Sequence, residues 1–342
     1  MPKLFSCFFF SGALTKDFSK SSLNFSFCSL LVVFLFAAPL HGDTSASPAP
    51  FGFSTPSQEN RLVQQSLLQD LECPQNSENR LCFVVGERGH FLVGSAMHWQ
   101  QVILPTQSQL NALSLDGRYA VGEDGIIVAY GANGIAEVVY SDLSSDAALF
   151  SILPTASGDY LAVGAYGLCL RGKERAWRSC EIDPEERHIY DIVELRDGAL
   201  LAVGEVGLIA RADGESSEFI SISSPYGGSL FGVLSLDSGA NQYVMAYGLR
   251  GTILLSSDGG KSFHQTETSI ERTFLAATQV ADGRVVLVGL GGLLVEFSVE
   301  DNKILREKTL TGRPALTGIQ KVDDLLLLTS DQGVLEFREW KW

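Results

Sequence analysis

A short glycine phrase recurs seven times along this chain and constrains its fold more than any other feature. Each copy has apolar residues, a glycine, two variable residues and a second glycine, as in Ala162-Val163-Gly164-Ala165-Tyr166-Gly167. The first glycine, a serine in the last copy, falls at positions 86, 122, 164, 204, 248, 289 and 330. Successive copies are therefore 36 to 44 residues apart. A period near forty, made of β-rich runs and glycine turns, is typical of the blades of a β-propeller.

The fifth copy shows how one period divides into four antiparallel strands, which we name a, b, c and d. We expect these strands at 229–236, 242–247, 252–257 and 262–266, respectively. Strands b and c are joined by Gly248-Leu249-Arg250-Gly251, and this short turn needs the positive φ or close backbone approach that glycine allows. Strands c and d are joined by a hairpin turn of the Asp-Gly type at Asp258-Gly259.

The other copies follow the same plan, which predicts an all-β, seven-bladed β-propeller with four antiparallel strands per blade. We expect further a strands at 110–115, 148–153, 188–193, 273–277 and 315–319. Strand d often begins with an aromatic residue, and we interpret these rings as core wedges between blades. They are Trp99, Trp177, Phe219 and Phe263. The one candidate helix is a short stretch from Arg61 to Leu71.

The seventh copy is short, because only nine residues follow Gly333. They suffice for strand c but leave an open sheet edge, which is prone to aggregation. We therefore expect an N-terminal strand from about residues 48–62 to complete this blade and close the ring.

The N-terminal residues have a different composition. Three lysines precede the apolar run Leu30–Ala38, and small residues follow it, a pattern typical of a secretory signal. An uncleaved membrane anchor is the alternative, although the apolar segment from Phe25 to Leu40 is shorter than the roughly 20 residues that span a bilayer. We expect a signal peptide at 1–42, a flexible leader at 43–60 and the propeller at 61–342. The protein would then be exported, to the periplasm or alternatively to a thylakoid lumen, unless it stays membrane-anchored.

The cysteines agree with an oxidising compartment. Four remain after the signal, and their local spacing suggests the disulfides Cys169–Cys180 and Cys73–Cys82, each across one hairpin. Free buried thiols are the alternative. The tightly spaced Cys or His pairs of a zinc site are absent from the sequence, so we expect no bound metal.

The charge of the chain limits its partners. Residues 43–342 carry a net charge of −17, because the signal region holds three lysines and one aspartate. Such a chain repels the phosphate backbone, so nucleic-acid binding is not expected. The acidic surface instead suits a basic protein partner.

The fifth copy continues as Ser256-Ser257-Asp258-Gly259-Gly260-Lys261-Ser262-Phe263, which resembles the Asp box of bacterial-neuraminidase-type repeats. Together with the Ala-Val-Gly-x-x-Gly phrases, residues 70–342 resemble the photosystem II stability/assembly factor family of seven-bladed propellers. The resemblance implies a propeller that helps to assemble or stabilise a membrane protein complex. The Asp box itself is structural and implies no activity.

A sialidase-like glycan hydrolase, or another hydrolytic propeller, is the enzymatic alternative. A sialidase needs an arginine triad and a Tyr/Glu pair, but no arginine recurs at equivalent strand positions. The available arginines are Arg88, Arg118, Arg211, Arg250 and Arg284. The histidines are isolated, and no helix follows the Gly-x-x-Gly phrases, so they are not phosphate loops. We therefore expect no catalytic residues and no cofactor.

The turns between strands b and c are the candidate binding surface, because they converge around one mouth of the central channel. The candidate partner-binding residues are Glu87, Arg88, Glu123, Asp124, Tyr166, Glu205 and Arg250. They predict a partly acidic rim that holds a basic segment of a membrane protein; ordinary solvated loop charge is the alternative interpretation. The basic hairpin at 171–178 is the second candidate surface. The resulting hypothesis is a monomeric, non-enzymatic, exported scaffold.

Overall fold

The structure, a computed structural model, describes residues 65–74, 81–95, 98–131, 133–142, 147–214 and 218–341. These residues form seven β-sheets, six with four strands and one with three. Each sheet is built from consecutive strands paired antiparallel. The chain is therefore the all-β, seven-bladed propeller that the glycine period predicts. The expected signal at 1–42 and leader at 43–60 lie outside the described residues.

The strands follow the order a to d within each blade. Those of blades one to three are β1 (Leu68–Glu72), β2 (Cys82–Gly86), β3 (Phe91–Ser95), β4 (His98–Val102), β5 (Leu110–Leu113), β6 (Tyr119–Gly122), β7 (Ile127–Tyr130), β8 (Ala136–Tyr140), β9 (Leu149–Pro154), β10 (Tyr160–Gly164), β11 (Cys169–Lys173) and β12 (Ala176–Ser179). Those of blades four and five are β13 (Ile189–Glu194), β14 (Leu200–Gly204), β15 (Ile209–Ala212), β16 (Ile220–Ser221), β17 (Leu230–Ser238), β18 (Asn241–Gly248), β19 (Ile253–Ser256) and β20 (His264–Gln265). Those of blades six and seven are β21 (Phe274–Ala281), β22 (Arg284–Gly289), β23 (Leu293–Ser298), β24 (Lys303–Thr309), β25 (Leu316–Val322), β26 (Leu325–Ser330) and β27 (Gly333–Phe337).

Helical structure in the described residues is confined to single turns between strands b and c. They are Glu87–Gly89, Ala165–Gly167, Glu205–Gly207 and Leu249–Gly251. The expectation of a helix from Arg61 to Leu71 is wrong where the structure describes it, because Leu68–Glu72 is strand β1 and pairs with β2. Its apolar residues fill the space between blades, which favours a strand there.

Strand boundaries in blade five also differ slightly from the prediction. The expected a–b turn at 237–241 shrinks to Gly239 and Ala240, because Asp237 pairs with Gln242 and Ser238 with Asn241. Every first glycine, and Ser330 in the last copy, ends a strand b as predicted.

The hydrophobic core is divided into seven clusters, one between each pair of adjacent blades. This arrangement explains why the b strands are apolar on both sides. The ring closes where Leu68 and Leu71 of blade one pack with Leu325 and Leu327 of blade seven. Across the same interface, the Thr317 hydroxyl donates to the Leu68 carbonyl at 2.6 Å.

The four aromatic residues at the start of strand d pack against these clusters, as predicted. Trp99 is buried between blades seven and one. Trp177 contacts the Tyr119 ring edge-to-face at 5.8 Å, and Phe219 and Phe263 cover the neighbouring clusters.

Blade seven has three strands among the described residues. The expected closing strand from residues 48–62 lies outside them. The residues after β27 turn towards blade six, where the Trp340 ring meets Phe337 at 5.2 Å and the Arg306 guanidinium at 4.6 Å.

Both predicted disulfides are present. Cys73–Cys82 joins the a and b strands of blade one, and Cys169–Cys180 joins the c and d strands of blade three. No helix in the described part of the chain is long and apolar enough to cross a membrane.

Candidate partner-binding face

The b–c turns of all seven blades lie at the same end of the strands, together with the connections that lead into strand a. We call this end the b–c face. Its turn residues are 87–89, 123–125, 165–167, 205–207, 249–251, 290–292 and 331–332. All seven predicted partner-binding residues therefore lie on one face, and the a–b and c–d turns lie on the opposite face.

The two glycines of each phrase are needed for different reasons. A Cβ on Gly164 would lie 1.9 Å from the Ala148 carbonyl oxygen, so the first glycine permits strand a to approach closely. The second glycine adopts the left-handed backbone conformation, as Gly167 does with a φ of +69°. The residue before it is left-handed too, with φ of +53° at Tyr166 and +54° at Val206. Such tight turns project this middle side chain outwards, and Tyr166 is 66% exposed and Val206 61% exposed.

The acidic residue after the first glycine forms a repeated local contact that the sequence did not reveal. The Glu87 N–H donates to the Leu67 carbonyl at 3.0 Å, and the Leu67 N–H donates back to the Glu87 carboxylate at 3.3 Å. Asp331 forms the same reciprocal pair with Ala315, at 3.2 and 3.0 Å. The Glu205 N–H donates to the His188 carbonyl at 2.9 Å, and the His188 N–H donates to the Glu205 carboxylate at 3.5 Å. These acids therefore hold the entry to strand a as well as giving the rim its charge.

The remaining predicted residues complete a rim of mixed charge. The Asp124 carboxylate accepts a 2.7 Å hydrogen bond from the Ser108 hydroxyl. Partial burial, reinforced by the charge of Asp124, raises the pKa of Glu123. Arg88 and Arg250 are exposed at the middle position of their turns, so the rim is not uniformly acidic.

A ring of side chains lines the channel below these turns. In every blade, strand a has a β-bulge near its start, shown by a register shift between Ile189 and Asp191 in blade four. The bulges at equivalent positions present Gln69, Asn111, Phe150, Tyr190, Phe231, Leu275 and Thr317 to the channel cavity. The ring is therefore aromatic in blades three to five and polar in blades seven, one and two.

The aromatic side of this ring continues to the exposed turns. The Tyr190 ring lies 5.5 Å from Phe150 and 5.1 Å from Phe231. The His188 ring lies 6.2 Å from Tyr190 and 4.7 Å from Tyr166. We call these five residues the aromatic arc. Of the predicted residues, the structure brings Tyr166 and Glu205 together here, because the His188 Nε2 atom is 4.0 Å from the Glu205 carboxylate.

Deeper in the channel, two aspartates join neighbouring blades. Asp70 accepts the Leu113 N–H at 2.8 Å. Asp191 accepts the Ser151 hydroxyl at 2.8 Å and the Val233 N–H at 2.9 Å. Because these carboxylates already accept hydrogen bonds from the protein, they tie adjacent a strands together.

Burial shifts the pKa of the channel carboxyl groups upwards. It raises the pKa of Asp191 to about 6 and raises that of Asp70. Burial and the charge of Asp70 raise the pKa of Glu72 well above its usual value, against a 2.8 Å hydrogen bond from Gln320. Each of these carboxyl groups therefore takes up a proton at a higher pH than an exposed carboxyl group does.

The arginines required by a sialidase-type site do not converge in the described residues. Arg211 is buried beside Asp213 and Asp197 and donates to the Gly259 carbonyl at 2.9 Å. Arg284 pairs with the buried Glu296 at 3.2 Å. The residues that line the channel cavity include no arginine, lysine or histidine. Among the described residues, no three His, Cys, Asp or Glu side chains are grouped to bind a metal ion.

The basic hairpin at 171–178 lies on the opposite face and is partly neutralised by neighbouring acids. Arg171 and Lys173 lie 3.8 and 3.7 Å from the Asp159 carboxylate. Arg175 bonds Glu137 of blade two at 2.9 Å. The hairpin is therefore a weaker candidate for an anionic partner than its sequence indicates.

Comparison with known structures identifies similar folds at low sequence identity. The structure of YCF48 bound to D1 peptide has a TM-score of 0.62 and 13% identity, covering 80% of this chain and 93% of that chain. YCF48 from Cyanidioschyzon merolae has a TM-score of 0.63 and 13% identity, covering 80% of this chain and 95% of that chain. The WD40 β-propeller domain of Doa1 has a TM-score of 0.63 and 13% identity, covering 83% of this chain and 95% of that chain. No family model matches the sequence, and the comparison with curated proteins finds no match. The similarity shows the propeller fold, including the structural likeness to YCF48 that the sequence resemblance predicts.

Proposed function

We propose that this chain is an exported, non-enzymatic binding scaffold whose b–c face holds a basic segment of a membrane protein during assembly or stabilisation of a membrane complex. The observation that carries the proposal is the convergence of seven exposed turns around one channel mouth. Rigid, mutually packed blades fix these turns, as is typical of binding loops on a stable scaffold.

Charge supports a basic partner. Glu87, Glu123, Asp124 and Glu205 bring four carboxylates to this face, and residues 43–342 carry a net charge of −17. Charge complementarity would raise the association rate and select against acidic partners. The structural likeness to YCF48 bound to D1 peptide supports a peptide segment as the partner. The two disulfides support an oxidising compartment.

The test neutralises the rim without removing its hydrogen-bond acceptors. The variant carries Glu87→Gln, Glu123→Gln, Asp124→Asn and Glu205→Gln, so an amide oxygen replaces each carboxylate. A matched control changes four acids of the opposite face, through Asp282→Asn, Asp301→Asn, Asp323→Asn and Asp324→Asn. Both variants change the net charge equally.

We expect the rim variant to fold normally and to capture its partner from native envelopes at least about tenfold less well at low salt. The control should capture it as the wild type does. Equal capture by all three proteins would place the binding surface elsewhere, with the 171–178 hairpin tested next.

A further inference from the structure

We propose that the aromatic arc receives an aromatic side chain of the partner segment, and that this residue is flanked by a lysine or arginine. The inference rests on the proposed function and adds the chemistry of the bound segment. The arc consists of Tyr166, His188, Phe150, Tyr190 and Phe231.

The channel mouth has the shape for such an anchor. Phe150, Tyr190 and Phe231 are half-buried and line a cavity of about 300 Å³ whose wall also includes Leu275. This volume is at the lower end for small-ligand pockets, which suits one inserted side chain. Neighbouring rings lie at the tilted, 5 to 6 Å spacings that aromatic pairs favour, so a further ring would continue the series.

The exposed turn residues point to the same contact. Val206 is a β-branched residue in the left-handed region, a conformation that is unfavourable for such a side chain. Its side chain is 61% exposed, so packing within the chain offsets little of this cost. Tyr166 has a similar φ of +53° and is 66% exposed, and the centroid of its ring lies 4.7 Å from that of His188. Tyr166 is linked to the cavity wall through His188 and Tyr190, and exposed apolar residues near such a wall are typical of binding surfaces.

Charge places the basic residue on one side of the anchor. The Glu205 carboxylate borders the arc at His188, and Glu123 and Asp124 lie towards blade two. Arg250 occupies the turn of blade five, on the other side of Val206. The lysine or arginine is therefore expected over blades two to four.

Three fluorescein-labelled peptides of seven residues test this specificity with the full chain. The first has a central tryptophan between lysines, the second has glycine in place of tryptophan, and the third has glutamates in place of the lysines. Fluorescence anisotropy should show the first peptide binding about tenfold more tightly than either of the others.

Exposed substitutions then locate the anchor. Tyr166→Ser and Val206→Ser should each lower the affinity for the tryptophan peptide about fivefold. Neither substitution should change the affinity for the glycine peptide. Ile220→Ser is the matched control, because Ile220 is 58% exposed at the outer strand β16. It should change neither affinity.

Equal binding of the tryptophan and glycine peptides would overturn the proposal, as would equal effects of Ile220→Ser and Tyr166→Ser. Failure of the tryptophan peptide to bind at millimolar concentration would overturn it too. Concentration-dependent dimerisation that the peptide reverses would identify a second copy as the occupant and also overturn it. The peptide experiments can contradict the proposal for the aromatic arc while neutralisation of the rim still abolishes capture from envelopes. In that case the proposed function stands without this specificity.

Discussion

At the scale of single residues, the recurring first glycine is explained by space and not by backbone conformation. Gly164 has an extended φ of −169°, yet its Cβ position lies 1.9 Å from a backbone oxygen. We expect Gly164→Ala to lower the free energy of unfolding by about 2–3 kcal/mol through overpacking. Gly158→Ala is the control, because φ is +83° and nothing lies within 4 Å of its Cβ position, so only about 1 kcal/mol of strain is expected. Urea denaturation measures both, and equal losses would refute the steric explanation.

The carboxyl group of Asp191 makes stability depend on pH. Because burial raises its pKa to about 6, the folded state binds the proton more tightly than the unfolded chain. The free energy of unfolding should therefore increase as the pH falls from 7 to 5, by on the order of 1–2 kcal/mol from this group. The pKa values of Asp70 and Glu72 are raised as well, so both groups add to this dependence of stability on pH.

Asp191→Asn is the corresponding test, since the amide retains an acceptor for Val233 but does not titrate. Urea denaturation at pH 5, 6 and 7 should show a flatter pH dependence than in the wild type. An unchanged slope between pH 5 and 7 would assign the dependence to other groups.

The acidic turn residues show the limit of sequence reasoning at this scale. Their recurrence after the first glycine is visible in the sequence and suggested a binding rim. Their hydrogen bonds to Leu67, His188 and Ala315 depend on how closely each turn approaches the start of strand a. That distance follows from the packed blade and is not encoded in the spacing of charges.

At the scale of elements, the strands were predictable and the bulges were not. Apolar runs and glycine turns marked every b strand, because both faces of those strands are buried. The aromatic arc depends on a bulge in strand a that turns Phe150, Tyr190 and Phe231 towards the channel. A one-residue irregularity reverses the side that a residue faces, so alternation alone gave no sign of it.

The disulfide of blade three is the clearest element to test. Mass spectrometry of unreduced peptides from exported protein should identify the Cys169–Cys180 link. Replacing both residues by alanine should lower the free energy of unfolding by about 2 kcal/mol or less, because the closed loop is short and the hairpin packs in a large core. Free thiols at both positions in exported protein would contradict the assignment.

At the scale of the whole molecule, the seven clusters give every blade interface an apolar core, including the interface that closes the ring. Leu327 lies between blades seven and one, and Leu254 lies between blades four and five; both are fully buried. We expect Leu327→Ala and Leu254→Ala each to cost about 2–5 kcal/mol in calorimetric or urea unfolding. A cost below about 1 kcal/mol for Leu327→Ala alone would show that packing does not close the ring there.

The architecture of the molecule was predictable because the period of forty residues is repeated in every blade. The function was less accessible, because an asymmetric channel mouth arises from residues that differ between blades. Only the folded ring brings Tyr166, Tyr190 and Glu205 to one place.

The central claim is that the b–c face is the binding surface, and site-specific photo-crosslinking tests it most directly. A benzophenone amino acid would replace Tyr166 on the b–c face, Ile220 at the outer edge or Asp324 on the opposite face, in protein expressed in its native envelope. We expect one strongly cross-linked membrane protein from position 166 and none from position 220 or 324. Cross-linking from position 324 with none from 166 would contradict it.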